Sequence, residues 1–361
     1  MSAQPHITDI PSPETLQDRV GTHGQPEAKT KKRLVRRTDV DRSQLIRRGV
    51  QFAFVALNIY LGVQFYGWVR FYETAGESRF VSRPAGVEGW LPIAALMNLK
   101  YFLLTGLIPQ IHPAGMFLLI AFLAMSLLLR KSFCSWLCPV GTFSEYLWKL
   151  GRRTFRRNFS LPRWLDLPLR GLKYLLLGLF VYVIAKMDAT AIRDFLGSPY
   201  GLIADVKMLN FFRFMSETAA ITIGVLAILS IFVQNFWCRF LCPYGALLGL
   251  VSLLSPAKIR RNEQACIDCA KCAKACPSRL PVDKLVQIRS AECTSCLECV
   301  AVCPAKDALN FELPRRRRLS PAVVAATIAI IFLGVVSYAK LTGHWETHLA
   351  TDLHATGAIG E

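Results

Sequence analysis

Cys266-Ile-Asp-Cys269-Ala-Lys-Cys272-Ala-Lys-Ala-Cys276-Pro277 and Cys293-Thr-Ser-Cys296-Leu-Glu-Cys299-Val-Ala-Val-Cys303-Pro304 write the run C-x2-C-x2-C-x3-C-P twice. Three cysteines at this spacing let one tight loop present thiolates to three corners of an iron-sulfur cubane, and the fourth thiolate must come from elsewhere in the fold. In two-cluster ferredoxins it comes from the other run. The spacing therefore assigns Cys266, Cys269, Cys272 and Cys303 to one 4Fe-4S cluster, and Cys293, Cys296, Cys299 and Cys276 to a second. Paired C-x2-C motifs also build structural zinc sites, but zinc does not explain eight sulfurs in two identical runs that each end in Cys-Pro. Each proline restricts the cysteine before it and helps end the local turn. Lys271, Lys274, Arg279 and Lys284 add positive charge near the clusters, which raises reduction potentials or offers a surface to an acidic partner or lipid.

The surrounding chain is too apolar for an ordinary soluble protein: 53% of its 361 residues are hydrophobic, 19% are charged, and the mean hydropathy is +0.34. A net charge of +18 can signal nucleic acid, but the basic residues cluster beside apolar runs, where anionic lipid and the positive-inside rule account for them. No nucleic-acid partner is expected. All twelve cysteines fall in short motifs ending in Cys-Pro, which a disulfide scaffold does not require, so they read as reduced metal ligands on the cytoplasmic side.

Apolar stretches near 50–69, 113–129, 172–187, 218–236 and 321–339 are long enough to cross about 30 Å of hydrocarbon as helices. The stretch 91–111 is apolar too, but Pro92, Lys100 and Pro109 mark it as interfacial or re-entrant. The loop from Arg130 to Lys173 carries Lys131, Lys149, Arg152, Arg153, Arg156, Arg157, Arg163 and Arg170 against Glu145 and Asp166, which places it in the cytoplasm of a bacterial inner-membrane protein. The N-terminal run Lys31, Lys32, Arg33, Arg36, Arg37, Arg47 and Arg48 and the Arg315 to Arg318 cluster fall on the same side. The expected fold class is mainly α: a polytopic membrane protein of about five helices in two repeated halves with a small α+β two-cluster ferredoxin-like domain. Its expected parts are a disordered basic tail (1–48), a transmembrane core (49–255), the ferredoxin-like domain (256–314), a final transmembrane helix (315–340) and a short extracytoplasmic tail (341–361).

The core contains an internal repeat. Phe133-Cys-Ser-Trp-Leu-Cys-Pro-Val-Gly141 mirrors Trp237-Cys-Arg-Phe-Leu-Cys-Pro-Tyr-Gly245, each directly after a membrane stretch, and Arg83-Pro-Ala-Gly86 loosely echoes Ser198-Pro-Tyr-Gly201 upstream. Cys134 with Cys138, and Cys238 with Cys242, are spaced i to i+4, which on a helix puts both sulfurs on one face. Four thiols meeting at a membrane edge can hold a soft metal such as copper, hold another cluster, or cycle between dithiol and disulfide. As plain buried cysteines they would only pack, and packing does not require repetition of the whole C-x3-C-P-x-G frame.

These motifs resemble those of the NapH/CcoG/NosR-type membrane ferredoxin proteins, over roughly residues 45–340. The resemblance implies a role in quinol-linked electron supply to respiratory enzymes, or in metal handling during their assembly. NosR-type proteins add a large extracytoplasmic flavin domain, for which the outer loops, about 71–112 and 188–217, are too short. CcoG-type proteins carry a β-rich domain after the last helix, where some twenty residues follow Lys340 here, so the plan is nearest the NapH type.

Transmembrane haem would need histidines inside helices, and of six only His112 lies near a span. His112 could meet a quinone at the outer side, but an interfacial or capping role is commoner for such a residue. The loop Arg83 to Trp90 reads as a turn and interfacial anchor, and His344, Glu346, His348, Asp352 and His354 as a solvated tail. No constellation for hydrolysis or group transfer stands out, so any catalysis is redox, as in a quinol dehydrogenase component. Two functions remain: a carrier of single electrons between a quinone pool or cytoplasmic donor and a partner redox protein, or an assembly factor that reduces copper or a disulfide at Cys134, Cys138, Cys238 and Cys242.

Overall fold

The computed structural model describes residues 34–38, 41–156, 159 and 161–347. Proline at the first turn starts several helices, since the missing N–H costs nothing there, and serine or aspartate caps others. In chain order the helices are α1 (Ser43–Glu73), α2 (Pro92–Thr105), α3 (Pro113–Leu129), α4 (Ser132–Trp136), α5 (Pro139–Phe155), α6 (Arg163–Lys186), α7 (Ala189–Gly197), α8 (Pro199–Leu202), α9 (Ala204–Arg213), α10 (Glu217–Phe232), α11 (Pro243–Ser252), α12 (Lys271–Ala275), α13 (Glu298–Ala301) and α14 (Pro321–Leu341). A 3-10 turn covers Ala85–Trp90 and a π-turn Trp237–Leu241.

Among the described residues three helices, α1, α6 and α14, are long and apolar enough to cross a membrane, and α9 with α10, bent by 81°, makes a fourth if the pair is one broken span. The expected fifth span, 113–129, is helical over that range, but its 17 residues reach only about 25 Å. It is instead the central element: α2, α11, α14 and the 3-10 turn pack around α3, and most of its side chains are buried. A helix wrapped by other helices has no need of the length that lipid exposure demands. The stretch read as interfacial forms α2, 14 residues long and ended by Gly106 in the left-handed region (φ 71°).

The two halves interlock. α10, which precedes the second cysteine motif, packs on α5, which follows the first, while α3, which precedes the first, packs on α11, which follows the second. The approach of α10 to α5 is close enough that a Cβ on Gly151 would lie 2.0 Å from the Ile231 carbonyl oxygen.

Between α11 and α14, strands β1 (Lys258–Arg261) and β2 (Leu309–Glu312) pair antiparallel, Ile259 opposite Phe311, and hold the two cysteine runs between them. Ile259, Leu280, Val282, Ile288, Leu309 and Phe311 form one continuous buried cluster with Phe122, Met125 and Leu129 of α3, so the cysteine module shares its core with the membrane helices. Part of the expected disordered tail is ordered: Arg37 N–H donates to the Pro304 carbonyl (2.9 Å), Lys306 N–H to that of Val35 (2.9 Å), and α1 begins at Ser43. Lys31, Lys32 and Arg33 lie outside the described residues.

Candidate metal centres

The two cysteine runs adopt the same backbone. Asp268 and Ala270 flank Cys269 with φ 54° each, and Ser295 and Leu297 flank Cys296 with φ 51° and 58°. Four non-glycine residues in the left-handed region are costly to hold, and the cost recurs at equivalent positions because each loop must turn three thiols inward. Cys276, Cys293, Cys296 and Cys299 line one small cavity with Ile259, Leu280, Val282 and Ile288. Burial first, then the sulfurs of Cys296, Cys276 and Cys293, push the Cys299 thiol well above its ordinary range. In the other set, burial pushes Cys272 up to about 11, with Cys303 and Cys266 among its charged neighbours, and Cys303 faces Cys269 and Cys266. The sets differ in exposure: Cys276, Cys293 and Cys299 are buried, whereas Cys269 is exposed. Among the described residues no group of three or more His, Cys, Asp or Glu side chains is arranged to hold a single metal ion. A cubane instead spreads its thiolates over separate iron corners, and sets of four thiols around an apolar pocket suit it.

The C-x3-C-P-x-G frame has a local explanation. Cys138 and Cys242 are the N-caps of α5 and α11, and each sulfur accepts the N–H of the third helical residue, Gly141 to Cys138 Sγ at 3.4 Å and Gly245 to Cys242 Sγ at 3.3 Å. Proline occupies the first helical position in both. The i to i+4 expectation of one helix face is replaced by a turn and a cap: Cys134 lies in α4 and Cys238 in the π-turn, each ahead of its capping cysteine. The interlocked halves bring all four together. Burial, then Cys242, Cys138 and Cys134, raise the Cys238 thiol, and all four sulfur-bearing residues line a cavity of about 960 Å³.

That cavity runs from Cys296 and Thr294 of the second cysteine run, past Cys134, Cys138, Cys238 and Cys242, to Arg83, Pro84 and Trp90, with Leu57, Leu61, Phe122 and Phe180 in its walls. The second cysteine run is tied to the first C-x3-C-P turn by Ser135 Oγ, which donates to the Thr294 carbonyl (2.5 Å), and by Trp136 Nε1, which donates to that of Ser295 (3.1 Å).

Three buried charge networks escaped the reading of the sequence. Arg47, fully buried, donates to both Glu145 carboxylate oxygens (2.6 Å each), to Glu298 (3.1 Å) and to the Ser135 carbonyl (3.2 Å), joining α1, α5 and α13. Lys173 Nζ donates to both oxygens of Glu292 (2.5 and 2.6 Å), with Lys131 Nζ 3.9 Å from the same carboxylate. At the other end, Arg83 pairs with Asp205 (2.6 Å) and Glu88 (3.0 Å), and His112 places Nε2 2.9 Å from the Gly201 carbonyl and Nδ1 3.4 Å from Glu88. His112 stands at the N-cap position of α3, but its ring is buried and makes no cap hydrogen bond, turning instead to Gly201 and Glu88. The loop expected to turn and anchor at the interface forms the 3-10 turn, which buries Glu88 and leaves Trp90 exposed. These contacts join the two weakly matching upstream segments. In the C-terminal segment Thr347, not one of the candidates there, reaches the network, donating to Glu88 at 2.6 Å; His348, Asp352 and His354 lie outside the described residues.

Residues 111–158 and 218–262 match a family model described as a 4Fe-4S binding domain, and residues 258–304 one described as a 4Fe-4S dicluster domain. The chain is 53% identical over 314 residues to a protein of Escherichia coli named electron transport protein YccM, covering 85% of this chain and 88% of that one. It is 30% identical over 169 residues to the regulatory protein NosR of Pseudomonas aeruginosa, covering 45% of this chain and 22% of that one. With the ferredoxin-type protein NapH of Escherichia coli it shares 28% identity over 155 residues, 41% of this chain and 48% of that one. No solved structure matches the chain. The C-x3-C-P repeat, the two ferredoxin runs and this similarity along most of its length agree: the chain belongs to the NapH/NosR-type family of 4Fe-4S ferredoxin proteins.

Proposed function

We propose that the chain is a membrane-bound carrier that relays single electrons between a quinone pool or a cytoplasmic donor and a partner redox protein. The observation that carries this reading is the cavity of about 960 Å³ whose wall includes both Cys296 of the second ferredoxin run and the four C-x3-C-P cysteines. Its size and mostly apolar walls suit a hydrophobic ring compound such as a quinone.

In this reading Cys266, Cys269, Cys272 and Cys303 hold one 4Fe-4S cluster, and Cys276, Cys293, Cys296 and Cys299 a second. Such clusters accept and release one electron at a time. The protein's part is positional. The exposed Cys269 loop leaves one set open to a docking partner, while Leu280, Val282 and Ile288 keep water from the other. Ser135, Trp136 and Arg47 fix the buried set against the membrane core.

The positive-inside rule supports a bacterial inner-membrane placement with the N-terminus and both ferredoxin runs in the cytoplasm, where the basic face also meets anionic lipid. Convergence of the four C-x3-C-P thiols on the cavity favours a second reading, in which electrons are spent there on copper or a disulfide.

The test is anaerobic purification with quantification of Fe, sulfide, Cu and Zn, followed by an EPR redox titration with and without quinol. About eight or more Fe per chain with matching sulfide, and signals that quinol reduces, support the carrier. Zinc without sulfide refutes the clusters, and clusters indifferent to quinol refute the quinone arm.

A further inference from the structure

Residues 34–37 lie as a strap along the chain that follows Cys303. Arg36 bridges Ala305 antiparallel, Arg37 N–H donates to the Pro304 carbonyl and Lys306 N–H to that of Val35 (2.9 Å each), and Arg37 Nη1 donates to the Val300 carbonyl (3.3 Å). The strap thereby fixes Val35, 61% exposed, and the exposed Arg36 next to the exposed Lys306, four residues from Val302, 37% exposed. Cys303 in turn faces Cys269 and Cys266. Cys269 is the exposed thiol of that set, and α12, which starts two residues after it, exposes Lys271 and Lys274. One face therefore carries the exposed edge of a cysteine set, two exposed valines and four exposed basic side chains.

The carboxylates around this face are neutralised from within the chain. Arg261 pairs with Glu263 (3.1 Å) and Asp268 (3.2 Å), Arg318 with Asp307 (2.5 Å) and Arg37 with Asp41 (2.7 Å). Arg36, Lys271, Lys274 and Lys306 enter no ion pair among the described residues, so the face presents net positive charge to whatever approaches it. An anionic membrane could use such charge, but the buried cysteine set is the one tied to α4 and packed on α3. The exposed set is thus the one turned from the membrane core. Apolar contacts ringed by charge of one sign are the anatomy of a small, transient protein contact, in which charge steers the encounter.

We propose that the face formed by Val35, Arg36, Cys269, Lys271, Lys274 and Lys306 docks an acidic, soluble one-electron carrier protein. The proposal rests on the carrier reading and names the partner at its cytoplasmic end. Lys271 and Lys274 on one side, and Arg36 and Lys306 on the other, draw the acidic carrier in, while Val35 and Val302 give it an apolar seat over the Cys269 edge. One electron leaves the reduced carrier, which is oxidised, and enters the iron-sulfur group held at Cys269, which is reduced; no bond and no proton moves. The strap makes the face a composite of the N-terminal segment and both cysteine runs, so it exists only in the folded chain.

The test uses the full-length chain, purified anaerobically with its iron and sulfide measured. Stopped-flow absorbance follows its reduction by two donors, an acidic plant-type 2Fe-2S ferredoxin and the methyl viologen radical cation. The ferredoxin rate should fall about tenfold between low salt and about 0.5 M salt, while the viologen rate holds or rises. Lys271→Glu with Lys274→Glu should slow ferredoxin about tenfold at low salt and leave it within about twofold of the wild type at high salt, with iron unchanged. Arg36→Glu with Lys306→Glu repeats the reversal from the strap side, and decides the matter if the first pair loses iron. Arg316→Glu with Arg317→Glu, near the start of α14, should leave the ferredoxin rate within about twofold. Reduction by viologen but not by ferredoxin, a ferredoxin rate that ignores salt and the reversals, or equal slowing by the Arg316 and Arg317 pair overturns the docking face and leaves the carrier reading standing. Reversals that lower the phosphatidylglycerol retained per chain without slowing ferredoxin assign the face to lipid and overturn it as well. A chain that carries no sulfide overturns the carrier reading itself.

Discussion

Gly141 and Gly245 hold equivalent places in the two C-x3-C-P-x-G frames, yet the structure gives them opposite tolerance. A Cβ on Gly141 would lie 2.2 Å from the Cys134 carbonyl oxygen, about 1 Å inside contact with a backbone atom that cannot swing away. On Gly245 it would meet Cys242 Sγ at 3.5 Å and the Lys131 Cε at 3.7 Å, ordinary contacts. Gly141→Ala must therefore push α4 from α5, at a cost of about 3 kcal/mol on the scale of overpacked cores. Gly245→Ala gains helix propensity, up to about 1 kcal/mol, and loses little. Thermal unfolding in detergent, followed by tryptophan fluorescence, reads the difference. At roughly 2 to 4 °C per kcal/mol, Gly141→Ala should melt about 6 to 12 °C lower, while Gly245→Ala stays within about 3 °C of the wild type. Equal melting of the two variants would refute the packing asymmetry, and with it the account of how the first frame closes.

Arg47→Met leaves Glu145, in a buried site, with Lys149 as its remaining cation and should cost about 3 kcal/mol, seen as poor folding yield; adding Glu145→Gln should recover part of the yield, because the under-compensated charge is then gone. The Arg47 guanidinium holds Glu145 against its burial, lowering its pKa from 4.5 to about 2. That pair contributes stability above about pH 4.5, lost as pH falls toward 2, and worth about 3 kcal/mol, so acid unfolding of Glu145→Gln should be flatter across that window. Asp205→Asn leaves Arg83 with Glu88 as its remaining acid and should lower the melting temperature by several degrees, with iron content unchanged; iron loss would mean the outer network supports the cysteine sites directly.

Residues whose spacing is dictated by one chemical object were legible. Three thiols per loop at C-x2-C-x2-C imply a cubane, and the extent of Pro113–Leu129 followed from an apolar run bounded by a proline and an arginine. What hydropathy could not say is which apolar helix faces lipid and which faces protein, since α3 inside the bundle and α14 at its edge read alike. The charges were misjudged for a related reason. Arg47 belongs to a basic run whose members look interchangeable in sequence, but Arg48 is exposed while Arg47, one residue away on α1, points inward to Glu145. Helix phase separates them, and only the packing partner fixes the phase. Glu292 could have been noticed, because a carboxylate directly before a cluster-motif cysteine calls for a cation, and Lys131 and Lys173 bracket the basic loop from which one had to come.

The reciprocal packing of the halves gives a physical reason for the duplication itself. Each C-x3-C-P turn on its own supplies two sulfurs and one helix N-terminus, too few for a closed site. Because α10 packs on α5 and α3 on α11, neither half can form its own site without placing the other's turn beside it. The same arrangement leaves the cavity wall to both halves, Phe133 and Cys134 from one facing Tyr244 and Cys242 from the other, with Phe133 and Tyr244 edge to face at 6.0 Å. Burial then orders the cysteine sets by position alone: Cys269 at the exposed surface, Cys299 in the shared core, Cys296 and Cys134 on a common cavity wall. A separate ferredoxin domain on a flexible linker would have no such fixed sequence of positions. Here the order is built into the same apolar cluster that joins β1 and β2 to α3, so a change that loosens that cluster should disturb the spacing between the cysteine sets before it disturbs any one of them.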